Sequence, residues 1–144
     1  MNVKRLVIAI IVGFVYVFAT DFLIHAVGLG EEYGKTKELW RPEAEMQARM
    51  PLMSAGQFLA AATFVLVWAL GFAERGTIGL ACLYGLLLGL FSQSTTLIMY
   101  VVQPLPQNIA TAWFVSGLVQ SALFGVVTHF VYKPKGSPTQ FATT

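Results

Sequence analysis

Charged residues are scarce in this sequence. They make up 11% of the 144 residues, whereas hydrophobic residues make up 56%; soluble globular proteins are about a quarter charged. The formal net charge is only +2, and the basic residues are scattered along the chain. Because a nucleic-acid-binding protein needs a clustered basic face, nucleic acid is excluded as a partner. The low charge indicates a chain whose solvent is lipid.

Residues that bind metals or form disulfides are scarce as well, with one cysteine and two histidines. Cys82 lies alone in an apolar run, which excludes a disulfide framework and a cysteine-rich metal site. The sequence shows no nucleophile–base pair, no phosphate-binding glycine loop and no two-carboxylate site. We therefore predict that the protein is not an enzyme.

Long apolar runs are the dominant feature of the sequence. Four segments are long enough to cross about 30 Å of hydrocarbon, which takes roughly 20 helical residues. Such continuous runs are helical, because a barrel would show short alternating strands. The predicted fold is an all-α, integral membrane, antiparallel four-helix bundle. Its single domain covers residues 1–132, with spans at 6–28, 52–72, 77–102 and 109–132, and a polar cytoplasmic tail follows at 133–144.

Basic residues near the ends of the spans predict the orientation. Lys4, Arg5 and Lys133 lie directly beside span ends on one side of the membrane. Since cytoplasmic loops carry an excess of lysine and arginine, both termini are expected in the cytoplasm. Residues 29–51, which we call the outer segment, then lie on the opposite side.

Small residues at intervals of four predict where the helices touch, because close packing in lipid depends on small side chains and hydrogen bonds. The expected packing residues are Gly13 in the first span, Gly85, Gly89 and Gln93 in the third, and Gly117, Ser121, Gly125 and His129 in the fourth. We expect the third and fourth spans to form a close hairpin. For His129, packing in this interface is favoured over a role as a switch.

The outer segment is expected to contain a short amphipathic helix that lies on the membrane. In the stretch RPEAEMQARM, Pro42 stands at the expected first helical position. Glu43 and Glu45 follow in the first turn, where the helix dipole favours acids. The expected interface anchors are Trp40, Met46 and Met50.

Asp21 is the most specific polar feature. It lies inside the first span, about one helical turn below the outer boundary, where an ionisable side chain is costly and indicates a function or a defined partner. His25 follows four residues later on the same face of an α-helix, so the two can pair. The structural interpretation is a polar clamp between this helix and the outer segment, with Arg41 as a further partner.

Three other interpretations of Asp21 stay open. It is part of a proton or cation relay, it binds a partner subunit or lipid, or it ligates a metal with His25 and a glutamate such as Glu31 or Glu45. A metal is disfavoured, because structural sites usually take four ligands and histidine and cysteine are scarce in this chain. The candidate site therefore comprises Asp21, His25, Arg41 and Glu45.

Copper and haem are both disfavoured as cofactors. The thioethers of Met46, Met50 and Met53 would suit Cu(I), but packing of flexible apolar side chains explains them without a metal. His25 and His129 lie near opposite faces of the membrane and cannot ligate one haem together. We predict no cofactor.

Gln93 lies in the polar run SQSTT near the middle of the third span. It is expected to form a hydrogen bond across helices, which contributes roughly 0.6 kcal/mol on average in membrane proteins. The structural interpretation is cohesion of the bundle. The alternative is a polar lining for a small permeant or a quinone headgroup.

Three stretches of the chain resemble a family of small bacterial four-helix membrane proteins with no established activity. They are TDFLIH, EYGKTKELWRPEAEM and, after a proline-containing turn, AWFVSGLVQSALFGVV. The resemblance extends over residues 6–134 and is most specific at residues 21–25 and 39–46. It implies the four-helix architecture and a location in the bacterial inner membrane.

The sequence most favours a non-enzymatic accessory or structural subunit of a larger bacterial inner-membrane complex. The reason is that surfaces for contact with other proteins are abundant, whereas groups of residues typical of a catalytic site are missing. The alternative is a small oligomeric transporter or channel that uses Asp21 and Gln93. A further alternative is a metal or cofactor binder at the outer face. The expected partners are the lipid bilayer and either other membrane subunits or further copies of this chain.

Overall fold

The computed structural model describes residues 1–134, which form helices and short connections, with no β-strand in that range. Four of its helices are long and apolar enough to cross a membrane: Val3–Gly28, Met50–Gly71, Ile78–Val102 and Gln107–Val131. The all-α class and the four long apolar helices predicted from the sequence are confirmed. Of the predicted tail, residues 135–144 lie outside the described residues.

The first apolar helix changes its winding near one end. It begins as α1, Val3–Asp21, and continues without a break as a π-helix, Phe22–Gly28. The wider winding is visible where the Leu29 N–H donates to the Ile24 carbonyl at 3.0 Å, five residues back. π-Helical turns are rare and occur frequently at functional sites. Asp21 lies at the junction between the two windings.

The outer segment is built from short helical pieces. These are α2, Gly30–Lys35, a 3₁₀ turn, Lys37–Leu39, and α3, Glu43–Ala48. The predicted short helix corresponds to α3, but Pro42 precedes it and does not occupy its first position. The reason is the backbone of Pro42, whose ψ of 145° is extended, so that helical geometry starts only at the next residue.

The last two residues of the outer segment, Met50 and Pro51, already belong to α4, which begins at Met50 and runs to Gly71. Met50, expected as an anchor in the outer segment, is therefore the first residue of an apolar helix. Proline is tolerated in a first turn, where its missing N–H needs no partner, and Pro51 is accommodated there. A 3₁₀ turn, Ala73–Arg75, follows α4.

The last two helices are α5, Ile78–Val102, and α6, Gln107–Val131, and their contact is the most extensive between any two described helices. Their backbones meet at glycines. A side chain on Gly85 would overlap the backbone of Ser121, and one on Gly125 would overlap the backbone of Ala81. The two faces of small residues singled out in the sequence thus lie against each other.

Helix α1 lies against both α4 and α6, and stacked rings join α6 to each of the other two. Phe64 of α4 and Phe124 of α6 have ring centroids 4.2 Å apart, and Tyr16 of α1 stacks on Phe124 at 5.3 Å. Gly13 lies under the edge of the Phe124 ring, where a larger residue would collide with it. The Tyr16 hydroxyl donates to the Gln120 carbonyl at 2.9 Å. Gly13 is thus a packing residue because it makes room for a ring.

A second group of rings packs near the other end of α6. Trp68 is fully buried, and the His129 ring meets it edge-on with centroids 5.9 Å apart. Gly76, in the connection before α5, lies against both side chains. His129 therefore packs between α4 and this connection, whereas Gly125, one turn earlier, faces α5.

Candidate functional site

Two amide side chains from different helices hold the Asp21 carboxylate. Gln57 Nε2 of α4 donates to one carboxylate oxygen at 2.7 Å, and Gln120 Nε2 of α6 donates to the other at 2.8 Å. Gln120 Nε2 also lies 2.6 Å from the Thr20 hydroxyl oxygen. Asp21 therefore joins α1 to α4 and α6 near the outer end of the molecule.

Gln57 brings an unused acceptor to the site. Its Nε2 donates to Asp21, and turning the amide over would place its oxygen against a carboxylate oxygen, so the amide orientation is fixed. In this orientation Gln57 Oε1 is buried and accepts no hydrogen bond from the described residues. Within residues 1–134, no lysine, arginine or histidine forms an ion pair with Asp21. The site thus has acceptors in excess and needs a donor or a cation.

Three cavities meet at Asp21. The first, of about 540 Å³, lies between α4 and α5, and we call it the central cleft. It is open between these helices, since Phe91 in its wall is 80% exposed. A second cavity of about 250 Å³ follows α6 from Asp21 to His25, and a third of about 450 Å³ lies between α1 and the start of α4. Space is therefore available on three sides of the carboxylate.

Gln93 lines both the central cleft and the 250 Å³ cavity, as Asp21 does. Its side chain packs over Gly117 of α6, where any added carbon atom would overlap the amide. Its Oε1 accepts a hydrogen bond from the Thr96 hydroxyl at 2.7 Å. The structure thus places the two residues named for a permeant path around the same cavities.

His25 bonds to the outer segment and not to Asp21. Its Nδ1 lies 2.6 Å from the Tyr33 hydroxyl, whose oxygen accepts the Trp113 indole N–H at 2.7 Å. Because an indole only donates, the Tyr33 oxygen is the acceptor toward Trp113 and its hydroxyl proton is free to go to Nδ1; donation in that direction corresponds to the Nε2–H tautomer of His25. The expected Asp21–His25 bond assumed α-helical spacing. The π-helical turns after Asp21 are wider, so residues four apart no longer stack directly.

Arg41 and Glu45 pair with each other, so the expected contact of Arg41 with Asp21 is wrong. The Arg41 guanidinium lies 3.5 Å from the Glu45 carboxylate, and Arg49 lies 3.3 Å from the same group, all on the exposed surface. The physical reason is that Arg41, just before α3, and Arg49, just after it, are each four residues from Glu45 and reach its carboxylate locally.

The glutamates named as possible metal ligands lie away from Asp21. Glu31 pairs with Lys35 at 2.9 Å, and Glu45 pairs with arginines. Within the part of the chain that the structure describes, no three histidine, cysteine, aspartate or glutamate side chains come close enough to hold one metal ion. The structure thus does not assemble the metal site that the sequence left open.

Four rings, which we call the aromatic cap, close the outer end of the molecule. They are His25, Tyr33, Trp40 and Trp113. Ring centroids are 5.1 Å apart for Tyr33 and Trp40, and 6.0 Å for Trp40 and Trp113. The Trp40 indole N–H donates to the Thr36 hydroxyl at 3.0 Å. Trp40, which the sequence predicts as an interface anchor, is part of a cluster that joins the outer segment to α6.

Sequence reasoning missed four residues of this region: Gln57, Gln120, Tyr33 and Trp113. The available signal for the two glutamines was a polar side chain inside an apolar span. For the two aromatic residues it was their position near a predicted membrane boundary. Neither signal says which residues of different helices lie at the same depth, so only the folded chain brings them together.

Glu32 joins the outer segment to the start of α6. Its carboxylate accepts hydrogen bonds from Lys35 Nζ at 2.8 Å and from Asn108 Nδ2 at 2.6 Å. The Lys35 ammonium and then the Asn108 amide hold the pKa of Glu32 below its ordinary value. In turn, the carboxylates of Glu32 and Glu31 raise the pKa of Lys35. We call the Glu32–Asn108 contact the tether.

The tether is expected to weaken in acid. Because the folded-state pKa of Glu32 is lowered, its stabilising effect is full above the unfolded-state pKa and is lost as the pH falls through the folded-state value. A nitroxide on Gly34→Cys, in a Cys82→Ser background, is expected to gain mobility over this range in electron paramagnetic resonance spectra. Gly34 suits the label because the space around its Cα is open.

Glu32→Gln is the matched control for this titration. It keeps a hydrogen-bonding side chain but removes the charge, so the mobility of the label should no longer depend on pH. Asn108→Ala should raise the mobility at neutral pH. A label whose mobility rises equally with acid in the Glu32→Gln protein would contradict the assignment.

Comparison of the chain with family models, with curated proteins and with solved structures finds no match. The resemblance to small bacterial four-helix membrane proteins therefore stays a prediction, and a function has to be argued from the geometry around Asp21.

Proposed function

We propose that this chain is a subunit of a small oligomeric transporter or channel that takes up a cation or a proton at Asp21. The observation that carries the proposal is the surplus of acceptors at the site. A carboxylate with only neutral donors lies beside the buried, unpaired Gln57 Oε1, where three cavities meet. Ionisable residues within membrane spans mark ion pathways and proton relays, because their burial is otherwise unfavourable.

The proposed arrangement is an antiparallel four-helix bundle in the bacterial inner membrane, with both termini in the cytoplasm. Contacts between an early residue of α5 and a late residue of α6, such as Ala81 with Gly125, support opposite helix directions. Lys4, Arg5 and Lys133 support the orientation, since basic residues near helix ends favour the cytoplasmic side. The outer segment then faces the other side.

In this orientation the site is open from outside and closed from inside. His25 lines the two smaller cavities at Asp21 and also a pocket under the outer segment, so it stands between the surface and the carboxylate. The stacked rings of Phe64 and Phe124 lie at the inner end of the central cleft. Such one-sided access is what one state of an alternating-access transporter requires.

The test is ion flux in proteoliposomes. Wild-type protein should carry protons, sodium or potassium above the level of empty liposomes, and Asp21→Asn should lower that flux at least about tenfold, since a neutral side chain cannot accept the charge. Gln93→Ala should reduce it less. Ser94→Ala is the control, because Ser94 is exposed and bonds only to the Phe91 carbonyl of its own helix in the described structure.

Thermal unfolding of each variant separates loss of function from loss of fold. The proposal fails if the wild-type flux equals that of empty liposomes for all three ions. It also fails if Asp21→Asn, folded and reconstituted to the same density, conducts as the wild type does.

A second function, that of a non-enzymatic accessory or structural subunit, is favoured by the shape of the central cleft. The cleft separates the parts of α4 and α5 that lie nearer the outer segment, whereas Tyr84 of α5 packs on Phe64 and Trp68 of α4 farther along. Phe91 on the cleft wall is 80% exposed. A helix from another subunit or from a second copy of this chain would fill it. In such an assembly the partner would contact residues that line the cleft, and not the face of α5 that points away from it.

Cysteine cross-linking in native membranes tests this second function. In a Cys82→Ser background, Phe91→Cys is expected to give a discrete cross-linked product. Val101→Cys is the matched control on the same helix, since Val101 is 83% exposed and does not line the cleft. Equal products from both positions, or none from position 91, would rule the accessory role out.

A further inference from the structure

A fourth pocket lies under the outer segment, and it shares His25 and Trp113 with the cavities at Asp21. Its volume is about 700 Å³, within the range of roughly 300–1,000 Å³ that is usual for ligand pockets. The aromatic cap and Met46 form its apolar wall. Lys37, Arg41 and Glu43 are the charged residues that line it. We call it the outer pocket.

The charges of the outer pocket favour an anion. Two cations against one acid leave a net lining charge of +1. Lys37 forms no ion pair with any described residue, and Arg41 shares Glu45 in an exposed pair at 3.5 Å, which contributes little to stability. Glu43 accepts a hydrogen bond from Gln47 at 3.1 Å. Its charge favours a ligand with a single negative charge over one with several.

The position of the pocket favours an amphiphile. His25 and Trp113 belong to helices that are apolar enough to cross a membrane, whereas the three charged residues belong to the outer segment. The part of the apolar wall formed by His25 and Trp113 therefore lies toward the hydrocarbon. Tyr33, Trp40 and Met46 belong to the outer segment, as the charged residues do, and lie with them at the level of lipid headgroups, where tryptophan and tyrosine are enriched. A small soluble anion would contact Lys37 and Arg41 but would leave the aromatic wall uncovered.

We infer that the outer pocket binds a lipid whose headgroup carries one negative charge, with the anionic group at Lys37 and Arg41 and the apolar part against the aromatic cap. This goes beyond ion uptake at Asp21, since it concerns a different ligand and residues of the outer segment. Bound lipid would hold the outer segment against α1 and α6 in addition to the tether.

The positions of the tryptophans give a direct test. The chain has three, and Trp40 and Trp113 line the outer pocket while Trp68 is fully buried in the core. Phosphatidylglycerol brominated on its acyl chain, as a minor component of phosphatidylcholine vesicles, should quench the fluorescence of the reconstituted protein. Phosphatidylcholine with the same brominated chain is the neutral comparison. We expect the anionic lipid to quench at least about twofold more at equal mole fraction.

Charge variants locate the effect. The double variant Lys37→Gln, Arg41→Gln should reduce quenching by the anionic lipid to the level of the neutral lipid. Lys35→Gln is the control, because Lys35 is a neighbouring exposed lysine that pairs with Glu31 and Glu32 and does not line the pocket. It removes one positive charge from the same segment where the double variant removes two, so a general surface attraction would give Lys35→Gln about half the loss of the double variant.

Three outcomes would overturn the inference. The first is equal quenching by the two brominated lipids, and the second is a loss in Lys35→Gln that reaches about half or more of the loss in the double variant. The third is reversal of the quenching by millimolar glycerol phosphate, which would assign the pocket to a soluble anion and not to a lipid. Flux through the Asp21 site is not part of this readout, so failure of one proposal does not decide the other.

Discussion

Gly125→Leu is expected to destabilise the protein strongly. Gly125 lies where the α6 backbone meets the α5 backbone, and a Cβ would overlap the carbonyl of Ala81. A flexible side chain can turn away from such a collision, but a helical backbone cannot, so α5 and α6 must separate. We expect a loss of about 3 kcal/mol in the free energy of unfolding, the upper part of the usual range for overpacking.

Thermal unfolding in mild detergent, followed by circular dichroism, measures this effect. Gly79→Leu is the matched control, because Gly79 also lies in an apolar helix but has no atom within 4 Å of its added carbon atom. Both changes add the same side chain and remove the same backbone freedom. If the two variants unfold at the same temperature, the close contact of α5 with α6 is not a main source of stability.

Asp21→Leu is expected to lower the free energy of unfolding somewhat less than Gly125→Leu does. It should weaken the contacts among the long helices and leave the outer segment unchanged. The change removes the acceptor of one N–H of Gln57 and of one N–H of Gln120, while Gln120 keeps its hydrogen bond to Thr20. An unsatisfied buried donor costs about 1–3 kcal/mol in general, whereas hydrogen bonds between membrane helices average roughly 0.6 kcal/mol. For two donors we expect a loss of about 2 kcal/mol. Asp21→Asn, which keeps one acceptor oxygen, should lose about half as much.

A compensating variant gives this prediction its control. The triple change Asp21→Leu, Gln57→Leu, Gln120→Leu removes the stranded donors together with the carboxylate, so it should recover part of the lost stability. The nitroxide at position 34 should report an unchanged outer segment in all these variants, since the tether and the aromatic cap do not include Asp21. Failure of the triple variant to recover any stability would show that the amides do not act through the carboxylate.

The Asp21 variants separate two roles of the site. The hydrogen bonds of the amides join three helices, and that role survives in part when the charge is removed. Uptake of a cation needs the charge itself and the free Gln57 Oε1 beside it. Asp21→Asn is therefore the informative variant, because it should retain most of the stability while it loses the flux.

The class of this protein and its closest helix contact could be predicted from the amino-acid sequence. A span in lipid must satisfy its own backbone hydrogen bonds, so a long apolar run has only the helix available, and the four helices follow from the runs alone. The role of Gly85 and Gly125 as packing residues could also be predicted from the sequence. Close approach of two helices in lipid needs small residues at regular spacing, and that spacing is a local property.

The way in which the polar residues combine depends on the tertiary structure. The π-helix after Asp21 turns His25 away toward Tyr33, and no spacing rule for an α-helix contains that change. Arg41 pairs with its near neighbour Glu45 and does not reach Asp21. The Gln57 and Gln120 side chains lie 36 and 99 residues from Asp21 and meet it only because three helices place them at one depth. A local pattern sets which residues share a helix face, but the relative depth and rotation of separate helices depend on the packing of all of them together.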